Sequence, residues 1–344
     1  MRITLQSVDE ATAGAGITAL NAETDHCRNG PEGRAQFSPW PIRQGNRKMA
    51  DPEIAALRAL IASRPRVMDI EQRRRDINVR GRQFPMPSGV IVESVSAGGV
   101  AAEWTLTRDA AGDRAILYLH GGGYVIGSLD SHRHLVAEIC RAATTRTLAI
   151  DYRLAPEHPF PAAVEDTVAA YRYLLDSGIR PSKIALAGDS AGGGLVVGAM
   201  LAIRAAGLTL PGCGWCISPW FDMEALGGSF IDRSAADPTV QKAGILDMAR
   251  LYLGDTDPRT PFAAPLYGDL HGLPPLLIQV GASETLLDDS ICFTRAAGAA
   301  DTMVELQIWP EMIHVWHLYY PILGVGRRAI AKGGGFVLEK LGEE

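Results

Sequence analysis

Cysteine is scarce here. The five residues, Cys27, Cys140, Cys213, Cys216 and Cys292, are odd in number and scattered over 344 positions, which excludes a disulfide framework. Cys213-Gly-Trp-Cys216 matches C-x-x-C but lies in an apolar stretch that reads as a buried strand. On a strand, positions three apart point to opposite faces, so the pair reads as core rather than as a redox or metal site. Long apolar runs are missing too. No stretch reaches the roughly 18 residues of a membrane span. Near the start, Asp9 and Glu10 fall where the apolar run of a signal peptide would begin, so the expected location is the cytoplasm. Neither sign of charge dominates. Thirty-three Lys and Arg stand against 39 Asp and Glu, a net charge of -6, with no basic surplus to suggest nucleic acid or an anionic membrane as partner. Internal repeats and low-complexity tracts are absent.

What is present fits a globular protein: 47% hydrophobic and 21% charged residues. The length suits one large α/β domain with insertions. Residues 1–48 stand apart, rich in Gly, Thr, Asn, Arg and Pro without sustained periodicity, and read as a flexible extension. Asp51 can cap a helix, Pro52 suits its first turn, and Ile54, Leu57 and Ile61 follow at helical spacing. Met49 is therefore a candidate natural start.

From about residue 101, strand and helix signals alternate. Strands are expected at 103–107, 115–120, 147–152, 183–187, 212–218, 275–280 and 304–309. Helices are expected at 161–176, 191–206, 246–253 and 286–299. This alternation implies an α/β fold with a mostly parallel sheet covered on both faces.

Gly188-Asp189-Ser190-Ala191-Gly192 matches G-x-S-x-G. It follows the apolar strand 184–187 and precedes a small-residue helix, which is the strand–turn–helix context of a nucleophile elbow. The glycines let backbones approach closely around a strained central residue. Upstream, His120-Gly-Gly-Gly-Tyr124 also follows a strand. It lacks the Lys-Ser/Thr of a phosphate loop. Backbone N–H groups of Gly122, Gly123 and Ala191 are candidate donors to an oxyanion, each worth about 3 kcal/mol in barrier. His120 is expected to order that loop.

In an α/β hydrolase the acid and then the histidine follow the serine. His271 precedes the strand that should carry the acid, so its order is wrong. His317 is expected one turn into a helix, packed or facing solvent. His314, in the loop after the last strand, is the candidate base. The acid should follow strand 275–280. Glu284 sits in the turn itself. Asp288 is the alternative, or a supporting partner, and Asp289 joins it where the next helix starts. His132-x-His134 lacks a third ligand, and neither metal nor cofactor is expected.

The His120-Gly-Gly-Gly and Gly188-Asp-Ser-Ala-Gly motifs, with 151–162 and Met312-Ile-His-Val-Trp316, resemble the bacterial hormone-sensitive lipase-like esterases, also called family IV. The resemblance spans roughly residues 50 to 340. It implies an α/β-hydrolase core over 89–344, an N-terminal helical cap over 49–88 that receives part of about 220–250, and hydrolysis of short-chain carboxylic esters without a metal. It carries the nucleophile, oxyanion glycines and histidine onto Ser190, Gly122, Gly123 and His314. The family often has Asp where this chain has Glu284, which keeps Asp288 open. Asp189 places the chain in the GDSAG-bearing group. Asp151, Arg153 and Glu157 read as a structural ion network.

The reaction so implied is acyl transfer from an ester to Ser190 and then to water. A non-catalytic small-molecule receptor on the same fold, and an amidase or lactonase with the same triad, are rival readings. Receptors of that kind lose a triad member, whereas here none is missing. Tyr124, Asp189, Trp220, Phe221 and Val315 are candidate pocket residues, with Met68, Phe84 and Met86 from the cap. Proteins resembling this one often dimerise through the last strand and the following helix, here 304–309 and 316–330.

Overall fold

The computed structural model describes residues 52–64 and 67–342. The expected extension at 1–48 and start at Met49 lie outside the described residues.

Eight strands form one sheet in the order β1-β2-β4-β3-β5-β6-β7-β8. They are β1 (Val90–Ala97), β2 (Val100–Thr107), β3 (Ala111–Leu119), β4 (Thr145–Ile150), β5 (Ile184–Asp189), β6 (Cys213–Ile217), β7 (Leu276–Gly281) and β8 (Val304–Trp309). β2 runs antiparallel to both neighbours, and every pair from β4 to β8 is parallel. The mostly parallel α/β sheet is as the sequence suggests. The β1–β2 hairpin is an addition. Its signal is Gly98-Gly99, both at positive φ, between two β-rich runs.

Helices cover both faces. They are α1 (Pro52–Ala62), α2 (Ile70–Arg82), α3 (Leu129–Ala142), α4 (Ala162–Asp176), α5 (Ala191–Ala205), the single turn α6 (Ser229–Asp232), α7 (Lys242–Leu253), α8 (Leu287–Ala299) and α9 (Gly324–Gly342). Strands buried on both sides read as continuous apolar runs; β5, β6 and β7 are buried at every position. Cys213 and Cys216 of β6 belong to different core layers, one on each side of the sheet.

One expected helix is corrected. In place of 316–330 there is a 3₁₀ turn at Trp316–Tyr319 and then α9 from Gly324. Pro321 has no N–H to continue a helix, and the chain restarts after it.

The fold brings the carboxyl ends of the central strands to one edge. Leu119 pairs with Gly188, Asp189 with Ile217, Ile217 with Gln279, and Gly281 with Trp309. The loops leaving those ends carry all the chemistry-bearing motifs, as expected for an open α/β sheet. α1 packs Ile54 and Leu57 against Met312, Ile313 and Trp316 of the histidine loop. α2 is capped by Asp69, whose carboxylate accepts from Gln72 N at 2.7 Å. Arg74 of α2 donates to the carbonyls of Val125 and Ala155, both at 2.9 Å, and pairs with Glu157.

Candidate active site

Ser190 sits between β5 and α5 at φ 55° and ψ -121°, a region in which a non-glycine residue is strained. The neighbours hold it there. Ser190 N donates to Ile217 O at 2.8 Å, while its carbonyl accepts from Gly194 N and Trp220 N at 3.1 and 3.0 Å. Only glycine fits the flanks. A Cβ on Gly188 would stand 2.5 Å from Gly192 O, and one on Gly192 would stand 2.0 Å from Leu119 O.

His314 Nε2 lies 2.9 Å from Ser190 Oγ, and its Nδ1 lies 3.0 Å from Glu284 Oε2. Glu284 is fully buried and His314 nearly so. Glu284 Oε1 accepts from Gly281 N at 2.6 Å and from Ser218 Oγ at 2.7 Å. Burial raises the Glu284 pKa above the usual carboxylate value, with the His314 hydrogen bond and charge opposing it. Burial disfavours the His314 cation, but the hydrogen bond and charge of Glu284 outweigh it and lift the pKa above the ordinary histidine value.

Asp288 is elsewhere. Its carboxylate accepts from Ser229 N at 2.8 Å and fixes the turn at α6. The next carboxylate, Asp289, accepts from Phe221 N and Asp222 N at 2.9 and 3.0 Å. Burial, and then the charge of Asp222, push its pKa well above the usual range. Of the three acids, the structure brings only Glu284 to His314.

The glycine loop meets the start of α5. The N–H groups of Gly122, Gly123 and Ala191 donate to no acceptor among the described residues, whereas Gly121 N is used, donating to Asp189 Oδ1 at 3.0 Å. Gly122 and Gly123 have φ of 124° and 64°, and α7 lies over the second: a Cβ there would meet Met248 Sδ at 2.0 Å. His120 Nδ1 donates to Gly121 O at 2.8 Å, and its ring stacks on Tyr152 at 4.2 Å. Burial, and then the charge of His132, lower its pKa to about 3, so it stays neutral and orders the loop.

The candidate pocket residues divide. Tyr124 stacks on Tyr252 at 3.8 Å and stands 6.0 Å from Trp220, both beside the loop and the elbow. Three others make different contacts. Phe221 stacks on Phe293 at 4.1 Å in the core. Val315 packs in the core layer with Tyr118 and Ile217. The Asp189 carboxylate turns under the glycine loop, to Tyr118 and Gly121, instead of facing a pocket. Met68 and Met86 present their side chains to solvent, and Phe84 packs on His134 at 4.9 Å.

The other histidines also find places. His317 is fully buried and its Nε2 lies 2.9 Å from Gln279 Oε1. His271 is exposed beside Asp269. His132 and His134 lie on α3, but His134 turns its Nε2 to Leu318 O, away from His132. Among the described residues no group of three or more His, Cys, Asp or Glu could hold a metal ion. Arg153 pairs with Asp166 and Glu165, and Arg74 with Glu157. Asp151 lies outside these pairs and accepts from Leu129 N. Ser218 was not among the sequence candidates. Its signal is position, at the carboxyl end of β6. Its hydroxyl donates to Glu284 and accepts from Val315 N at 3.1 Å.

A parallel sheet flanked by helices, with a strained serine at one strand end and a buried histidine against it, is the architecture of the α/β hydrolases. The family model described as alpha/beta hydrolase fold matches residues 116–318. The chain belongs to that family and, within it, to the bacterial hormone-sensitive lipase-like esterases, and is a carboxylic ester hydrolase. An acetyl-hydrolase of Streptomyces hygroscopicus is 48% identical over 301 residues, covering 86% of this chain and 99% of its own length. The crystal structure of an esterase from the bacterial hormone-sensitive lipase family superposes with TM-score 0.82 at 49% identity, covering 85% of this chain and 99% of that one. An esterase/lipase from an uncultured bacterium gives TM-score 0.83 at 45% identity, over 86% of this chain and all of that one.

Proposed function

We propose that this enzyme hydrolyses short-chain carboxylic esters through an acyl-enzyme on Ser190. The observation that carries the reading is the unbroken line from Ser190 Oγ to His314 Nε2 at 2.9 Å, and from His314 Nδ1 to Glu284 Oε2 at 3.0 Å. Ser190 attacks the ester carbonyl as His314 takes its proton. Glu284 holds the Nδ1–H tautomer and stabilises the imidazolium. The unused N–H groups of Gly122, Gly123 and Ala191 receive the oxyanion. His314 then gives its proton to the leaving alcohol, and a water activated by the same histidine releases the acid.

Short acyl groups are favoured by analogy. The 48% identical relative is named an acetyl-hydrolase, and a structure 45% identical to this chain was soaked with p-nitrophenyl butyrate. The test is a p-nitrophenyl ester panel of rising acyl length on the wild type and Ser190→Ala. Turnover should peak at short chains and fall by at least about 10⁴-fold in the variant. Undiminished turnover by folded Ser190→Ala overturns the reading.

Two further proposals concern setting. No helix among the described residues is long and apolar enough to cross a membrane, and a cytoplasmic location is proposed. A homodimer through β8 and α9 is proposed because β8 is the last strand of the sheet and exposes Ile308, with Met303 exposed just before it.

A further inference from the structure

We propose that His132 of α3 is a positioning residue for the oxyanion hole, acting through the carboxylate of Asp189. The hole has two halves. Gly122 and Gly123 come from the loop after β3, while Ala191 comes from the elbow after β5. Asp189 precedes the nucleophile, and its side chain crosses to the other half. Oδ1 accepts from Gly121 N at 3.0 Å and from the Tyr118 hydroxyl at 2.6 Å. Oδ2 lies 3.3 Å from His132 Nε2. A carboxylate can only accept, so Nε2 carries the proton. His132 Nδ1 is held in turn by Ser131 Oγ at 2.7 Å, which belongs to the capping box of α3. One chain of contacts thus runs from the α3 cap to the glycine loop.

The carboxylate fits tightly. A Cβ on Gly121 would stand 2.2 Å from Asp189 Oδ2, so only glycine fits where the loop packs on the carboxylate. Asp189 and His132 are each about 2% exposed, leaving water no easy route to replace a lost donor. The ionised form is favoured in place. Burial alone would raise the Asp189 pKa, but the charge and hydrogen bond of His132, with the Tyr118 hydroxyl, hold it below the usual value. Removing His132 strips Oδ2 of its donor among the described residues. The carboxylate then turns or takes up a proton, and Gly121 N–H loses its acceptor. The neighbouring Gly122 and Gly123 donors shift with it. Because the oxyanion exists only in the transition state, the effect belongs in kcat.

This rests on the reading of Ser190 as nucleophile, so Ser190→Ala is run alongside. His132→Ala should lower kcat about 10- to 100-fold while KM stays within about threefold. Affinity for a short alkylboronic acid, whose serine adduct is tetrahedral, should fall in parallel. His132→Gln, which restores an N–H donor, should recover most of kcat. Tyr118→Phe keeps the ring and should lower kcat several-fold, and it carries the test should His132→Ala fail to fold. Unchanged kcat and boronate affinity in these variants, with Ser190→Ala inactive, overturn the positioning role alone. Undiminished turnover by Ser190→Ala overturns the underlying reading instead.

Discussion

Glu284 and Asp288 are one helical turn apart in sequence, and the sequence alone leaves both open as the acid. Geometry separates them. Glu284 is locked by Gly281 N and Ser218 Oγ and faces His314, whereas Asp288 caps the α6 turn through Ser229. Glu284→Gln should therefore cost roughly 10³- to 10⁴-fold in kcat through the wrong histidine tautomer, and Asp288→Asn less than about tenfold. Steady-state kinetics on the two variants check this; equal losses would contradict it. The pH profile follows from the same pair. The proposed base works only when His314 is neutral, so kcat/KM should fall as pH drops through the His314 pKa. Glu284 lifts that pKa above the ordinary value of about 6.5. In Glu284→Gln the opposing burial is left unbalanced, so the acid limb should move to lower pH. A limb that stays in place argues that another group titrates there. Ser218 was hidden from sequence reading because a serine at a strand end has no motif; only the register of β6 with β7 brings it to Glu284.

At the scale of elements, the elbow and glycine loop were legible because each is a short motif bracketed by an apolar strand and the next element. Less legible was β1. Its exposed alternate positions dilute the apolar pattern, and only the Gly98-Gly99 turn marks it. The start of α9 was misplaced because apolar residues continue through 316–323, although Pro321 and Gly324 punctuate them. The packing of Phe221 and Val315 was illegible for another reason. Aromatic and β-branched residues after a strand look alike whether they face a cleft or the neighbouring helix. Close packing of elements gives a prediction here. Gly192→Ala forces a Cβ to within 2.0 Å of Leu119 O, between the start of α5 and the end of β3. Strain of about 1–3 kcal/mol should lower Tm by roughly 2–4 °C per kcal/mol, with loss of activity. A calorimetric scan showing wild-type Tm would contradict that packing.

For the whole molecule, one sheet edge gathers the loops after β3, β5, β6, β7 and β8, and their joint geometry makes the site. One lateral limit of the sheet is the β8 edge. If two copies join there, Ile308→Lys should shift sedimentation velocity from dimer to monomer at micromolar concentration, since a lysine on an edge strand opposes pairing. A wild type that sediments as monomer rejects the dimer without touching the site. The nucleophile itself is open to the most direct measurement. The enzyme is quenched within milliseconds of mixing with p-nitrophenyl butyrate, digested, and its peptides weighed. A butyryl group on the peptide carrying Ser190, absent from Ser190→Ala, is the expected result. Turnover with no acyl group on Ser190, or continued turnover by the folded variant, would contradict it.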